Sequence, residues 1–322
     1  MADDTLNFQT SLAGMKKSDW LAAVEQLCDE DGYFEQLGKR HYAAFVEKSA
    51  TLLVTFETLQ GIPALSSLAQ PLGWEMMQQH GWSSLCIASN GDTWFRDRAV
   101  YGYFDRLIDD GFFDEFEQVI FYGAGPCGYA AAAFSVASPG ARVLAVQPQA
   151  TLDPRITEWD DRFKPMRRMD FTSRYGYAPD MLDGAAKAFV AYDPHQQLDA
   201  MHAALFTRPN TRKLRLPHMG DAIQTDLLEM EQLGPLLLAI CEDTLDDPGF
   251  ARMMRARRTH PPYLRNLLAA VDAEGRETFA QALARNVTSR MHAPRFARRL
   301  TAKQQDSQPS DNDTAPERPA DS

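Results

Sequence analysis

The stretch that most constrains this chain runs from Gln118 to Gln147, QVIFYGAGPCGYAAAAFSVASPGARVLAVQ. An apolar run stops at a glycine-rich turn, and an alanine-rich segment follows. Ser138-Pro139-Gly140 breaks that segment, and a second apolar run, Val143 to Val146, closes the unit. Periodicity and breakers together predict a strand, a tight turn, a helix and a second strand.

Two chemistries use such a turn. In the first, Gly123, Gly125 and Gly128 form a GxGxxG fingerprint whose backbone amides, at a helix N-terminus, receive the pyrophosphate of a nucleotide cofactor. That motif is completed by an acidic residue about 20 positions on, which binds a ribose hydroxyl. Here the second strand ends in Gln147-Pro148 instead. In the second chemistry the turn is the GxSxG nucleophile elbow of an α/β-hydrolase, where crowding demands small residues around an exposed serine. Aligned on Gly123, the elbow has Gly125 at the nucleophile position and Cys127 in place of the second glycine. Moving the frame to make Cys127 the nucleophile would put Tyr129 where a small side chain is required, so Cys127 reads as a small buried filler. Without a nucleophile no covalent intermediate forms, and serine hydrolase activity is not expected.

The remaining alternation supports a mostly parallel sheet flanked by helices on both faces. Tyr33 to Val46 reads as one or two short strands, and further strands are expected near residues 52, 84, 119, 143, 189 and 214. Helices are expected through Trp20, through 74–79, 99–108, 199–206 and 223–240. The elbow then follows the third of those six strands, as in β3 to β8 of an α/β-hydrolase sheet. In such a sheet the loop after LLVTF, with Gly61-Ile62-Pro63, supplies one oxyanion amide. Residues 148–177 carry few strand signals and read as an excursion or lid. Trp94, Arg96 and Arg167-Arg168 are placed to form with it a pocket for a small, anionic ligand.

At 322 residues, with 44% hydrophobic and 24% charged content, the chain can build one sizeable α/β domain with an appendage. No apolar run reaches the roughly 20 residues of a membrane helix, and the polar N-terminus lacks the regions of a secretory signal, so a cytoplasmic protein is expected. Cys28, Cys86, Cys127 and Cys241 are scattered, and the seven histidines include no HExxH or other ligand pair; His195 and His202 are separated by a helix start after Asp193-Pro194. Neither a metal nor a disulfide framework is indicated. A net charge of −11 disfavours nucleic acid as a general partner. The expected organisation is a mobile N-terminus and short helix at 1–32, with residues 1–17 the mobile part. An α/β-hydrolase-like domain follows at 33–243, then a basic helical appendage at 244–303 and a disordered tail at 304–322. In the appendage twelve Lys or Arg outnumber the acids. It reads either as an interaction surface or as a solvated face that docks on the acidic body.

The run FYGAGPCGYAAAAFSVASPGARVLAVQPQATLDP, with LLVTFET, GDTWFRD and DAMHAALFTRPN, resembles a bacterial α/β-hydrolase-like family whose members are often named phosphoadenosine phosphosulfate reductase. The resemblance covers roughly residues 40 to 240 and implies the hydrolase fold. The SGG loop and the Cys-Gly-x-His segment of that reductase are not found, since Cys127-Gly128 is followed by Tyr129-Ala130. Within a hydrolase site, His218 after the last strand stands where the general base belongs, and Asp193 or Asp199 where its orienting acid belongs. Asp199 can equally cap the helix DAMHAALF, and His218 can be a loop histidine bonded locally. The overall expectation is a non-hydrolytic binding protein or pseudoenzyme. Its alternatives are a nucleotide-cofactor enzyme using the 123–128 turn, and an interaction protein acting through the basic segment.

Overall fold

The sheet has eight strands: β1 (Gly32–Leu37), β2 (His41–Val46), β3 (Thr51–Thr58), β4 (Ser83–Ser89), β5 (Gln118–Ala124), β6 (Arg142–Val146), β7 (Lys187–Tyr192) and β8 (Thr211–Arg215). In this computed structural model, which describes residues 6–306, they lie in the order β1-β2-β4-β3-β5-β6-β7-β8. The β1–β2 and β2–β4 pairs are antiparallel and all later pairs are parallel. This is the α/β-hydrolase sheet, and it excludes the 3-2-1-4-5-6 order of a dinucleotide-binding domain. The chain leaves β3 on one side to make β4 and returns to lay β5 on its other side. Such a reversal opens a crevice at the C-terminal ends of the two strands.

Side-chain alternation sorts residues to the two faces. On β2, Ala43 and Phe45 join one core cluster with Val54, Phe56, Phe104 and Phe134, while Ala44 and Val46 join another with Trp74, Met77 and Cys86. The helix Pro126–Phe134 is buried along almost its whole length, which accounts for its composition, because a helix apolar all round belongs inside. Its four alanines let it lie close on β5, β6 and β3. The fit is tightest at two glycines: a Cβ at Gly123 would sit 2.1 Å from the Cys127 carbonyl oxygen, and one at Gly128 would sit 2.9 Å from that of Val146.

Three expectations are corrected. The N-terminal segment is packed from Leu6 onward: Leu12 is 1% exposed, its amide donates to the Leu68 carbonyl (2.8 Å), and Phe8 meets Trp74 edge-on at 5.0 Å. Irregular spacing of Leu6, Phe8 and Leu12 hides this packing from periodicity. The 223–240 helix is two, Ile223–Glu229 and Leu233–Cys241, separated at Glu231, whose φ is +56°. The first compact unit continues past 243 to Ala256, because Arg212 on β8 holds the Leu245 carbonyl (2.8 Å) and Asp247.

The second unit begins at Arg257. Its helices Pro261–Ala273, Glu277–Thr288 and Pro294–Asp306 pack around Leu264, Leu268, Ala280, Ala284, Val287 and Phe296. Arg299 ties the helices together through Asp272 and Glu277, at 2.8 and 2.7 Å. Residues 304–306, expected in the tail, belong to the last helix; the rest of that tail, and residues 1–5, lie outside the described residues. Among the described residues no helix is long and apolar enough to cross a membrane.

The two kinds of glycine in the central turn respond differently to one methyl group. Gly123→Ala drives Cβ into backbone and is expected to lower stability by about 3 kcal/mol or more. Gly125→Ala meets no atom within 4 Å and is expected to cost only the backbone strain of its positive φ, about 1–2 kcal/mol. Urea unfolding of the two variants side by side measures the difference, and equal losses would show that packing does not set the turn.

Candidate functional site

At the end of β5 the backbone turns so sharply that Gly125 adopts φ +57°, ψ −124°, a region open to glycine and strained for other residues. The turn is pinned on both sides: the Gly125 amide donates to the Val146 carbonyl at 2.8 Å, and its own carbonyl accepts from the Tyr129 amide at 3.0 Å. Gly125 is therefore the tip of a strand-to-helix elbow. Space lies open where its side chain would be.

Several donors that an acyl-transfer elbow could use are missing or engaged. The residue after Gly125 is Pro126, which has no N–H to offer an oxyanion. In the loop after β3, the Leu59 amide donates to the Ser89 carbonyl (2.8 Å), and the Gly61 amide to the carbonyl and hydroxyl of Thr58 (both 2.9 Å). Cys127, one residue further along the elbow, is buried and burial pushes its thiol well above the usual range, the opposite of an activated nucleophile.

A cleft of about 300 Å³ opens at Gly125, lined among others by Gln147, Gln149, Arg162, Phe163 and Asp199. Arg162 comes from the excursion after β6. Its guanidinium holds Asp160 through two nitrogens and reaches Asp199 at 2.7 Å, while the other oxygen of Asp199 accepts from the Gln147 carboxamide at 2.8 Å. Gln147 has φ +47° and accepts the Ile223 amide at 3.2 Å. Behind this row lies His202, fully buried: Nδ1 accepts the Ala150 amide (3.1 Å), so Nε2 carries the proton and donates to Asp160 (2.9 Å). Burial acts to raise the Asp160 pKa, but the bonds from His202 and Arg162 outweigh it and hold the carboxyl well below its ordinary range.

The excursion is held by arginines. Asp153 and Asp160 each accept the backbone amide two residues on (both 3.0 Å), and the arginine at that position, Arg155 or Arg162, folds back onto the same carboxylate. Arg167 donates to the carbonyls of Glu158 (2.6 Å) and Asp160 (2.8 Å). Arg96 donates to those of Asp170 (2.8 Å) and Arg174 (2.6 Å). The expected anion pocket is thus corrected for Arg96 and Arg167: both guanidiniums fasten loop backbone. Trp94 does approach the cleft, edge-on to Phe163 at 4.9 Å and donating to Gln149 at 3.3 Å, with positive φ at both Trp94 and Phe95.

Of the residues singled out in the sequence, Gly125 and Asp199 share the cleft. Asp199 lies in the first turn of the helix Gln197–Leu205, and its side chain bonds Arg162 and Gln147 rather than capping. Asp193 follows β7 and is buried; its two oxygens accept the amides of His195 (2.9 Å) and Gly220 (2.7 Å). His218, in the loop after β8 with φ +66°, stacks on the His195 ring at 4.2 Å. Asp193 and His218 thereby belong to one loop cluster, in which Asp193 binds backbone. Arg162, Gln147, Asp160 and His202 were not singled out as site residues. Only the Asp-x-Arg repeat in LDPRITEWDDR and the Gln147 that replaces an acid hinted at them.

No protein-family model matches the chain, and no curated protein is significantly similar to it. Solved structures similar to it include Est1E from Butyrivibrio proteoclasticus, with 14% identity over 64% of this chain and 96% of that one at a TM-score of 0.43. An esterase from Pyrobaculum calidifontis shows 12% identity over 73% and 96% at 0.44. Acetyl xylan esterase 1 from Thermoanaerobacterium shows 12% over 64% and 80% at 0.41. The fold assignment stands on the strand order and connections themselves.

Because Asp160 is depressed in the folded protein, its contribution is present above its unfolded pKa near 4 and is lost as pH falls below that value. Asp160→Asn is expected to destabilise by about 3 kcal/mol at pH 7, as breaking a buried pair does. The gap from wild type should narrow below about pH 4. Chemical denaturation at several pH values checks this, and a gap independent of pH would show that the carboxylate's charge plays no part.

Proposed function

We propose that this chain is a binding protein on an α/β-hydrolase scaffold, a pseudoenzyme whose elbow cleft takes up a small polar ligand without covalent chemistry. The Gly125-Pro126 pair carries the reading. One position lacks the nucleophile and the next lacks the oxyanion amide, so the elbow keeps its geometry but neither of its chemical groups. Engagement of the Leu59 and Gly61 amides elsewhere supports it further. A pyrophosphate at the 123–128 turn is disfavoured by the same proline, and the glycines at 123 and 128 have sufficient cause in packing.

The cleft has features of a site that selects something. Gln147, Gln149, Arg162 and Asp199 are held in place by partners, and strained backbone surrounds it at Trp94, Phe95 and Gln147; such strain is concentrated at functional positions. Arg162 is neutralised by Asp160 and Asp199. Asp221 also lines the cleft and adds negative charge, so the ligand class favoured is uncharged rather than anionic and rich in hydrogen-bonding groups, matched to carboxamides and carboxylates rather than to a free cation. The four cysteines are free thiols, which suits the reducing cytoplasm.

Two measurements test this. Wild type should not react with a fluorophosphonate probe, and Gly125→Ser should fold yet hydrolyse p-nitrophenyl acetate no faster than buffer, because Pro126 leaves the oxyanion without its amide. Esterase turnover by that single variant would overturn the reading. Thermal-shift screening of neutral polar metabolites should yield ligands that raise Tm and whose effect disappears in Thr225→Trp, which fills the cleft mouth.

A further inference from the structure

A second cavity, of about 490 Å³, lies beside the helix Leu72–His80. Its apolar wall includes Ile62, Leu65, Leu72 and Leu228; Glu57, Glu75 and Glu229 also line it, and no lysine, arginine or histidine is among its lining residues. Glu57 stands at the C-terminal end of β3, beside the crevice that the strand order opens, and is only 9% exposed.

The carboxylate is only partly satisfied. Its Oε1 accepts from the Thr55 hydroxyl (2.7 Å), the Leu72 amide (3.1 Å) and the Cys86 thiol (3.5 Å), whereas Oε2 has the Leu72 amide at 3.3 Å. Holding the first amide of the helix Leu72–His80 explains why a carboxylate is there, but it leaves Oε2 with one long, shared bond. Burial raises the Glu57 pKa against these hydrogen bonds, so a cation brought to the carboxylate would replace hydration it has lost.

We propose that this cavity binds a primary alkylammonium ion, its ammonium group on Glu57 and its chain along Ile62, Leu65, Leu72 and Leu228. An ammonium supplies the donors that Oε2 lacks, and the apolar wall requires a hydrocarbon portion. The site is separate from the elbow cleft, although Gln224 borders both.

The test uses the full chain at pH 7 and three probes of equal length: n-hexylamine, 1-hexanol and hexanoate. Calorimetric titration should show the amine binding at least tenfold more tightly than the alcohol, with no binding of the carboxylate. Glu57→Gln, which keeps an acceptor for the Leu72 amide, should weaken the amine at least tenfold. Leu65→Trp, which narrows the cavity and leaves Glu57 intact, should do the same and decides the matter if Glu57→Gln does not fold. Thr225→Trp, in the elbow cleft, should leave amine binding unchanged. Equal affinity for amine and alcohol would overturn the proposal, as would undiminished amine binding in folded Leu65→Trp.

Discussion

The first unit depends on the close approach of one helix to the sheet. Pro126–Phe134 lies against β5 and β6 at a distance that leaves no room for a Cβ at Gly123 or Gly128. At van der Waals contact each atom pair contributes little, but a helix buried on all sides makes many such contacts and tolerates no added volume. The alanines, the two glycines and the abrupt turn at Gly125 all follow from that proximity. An elbow of this shape would then be kept by packing whether or not a reactive group stands at its tip.

This separation of shape from chemistry explains how the turn can have a sharp strand-to-helix elbow backbone with glycine at 125 and proline at 126. Glycine at 125 relieves the strain that a side chain would incur at φ +57°. Proline at 126 suits the first turn of a helix, where its missing N–H leaves no intrahelical bond unmade. Both residues make the turn easier to form than serine followed by an amide-bearing residue.

The excursion after β6 adds a second layer of organisation. Its backbone has little regular structure, so its carbonyls are held by the guanidiniums of Arg96 and Arg167, and its two Asp-x-Arg units close on themselves. His202 links this layer to the body through Asp160 and the Ala150 amide. Charged groups that resemble a ligand site in the sequence, Arg96 and Arg167, thus have an architectural use, and of the excursion's arginines it is Arg162 that lines the cleft.

The strands of the sheet are legible in the sequence, though not their order. Short apolar runs at 52, 84, 119, 143, 189 and 214 mark the strands because periodicity and turn chemistry are local properties, and the helical segments between them imply parallel pairing. The glycine spacing located the elbow, and the absence of serine at 125 was legible there. Tertiary structure alone decided which residues meet around it. Gln147, Arg162 and Asp199 come from three separate segments, and their convergence depends on strand order and on the path of an irregular loop, neither of which leaves a periodic trace. The packing of Leu12 and the partly satisfied Glu57 were hidden for the same reason: a single buried side chain has no period, and its partners lie far along the chain.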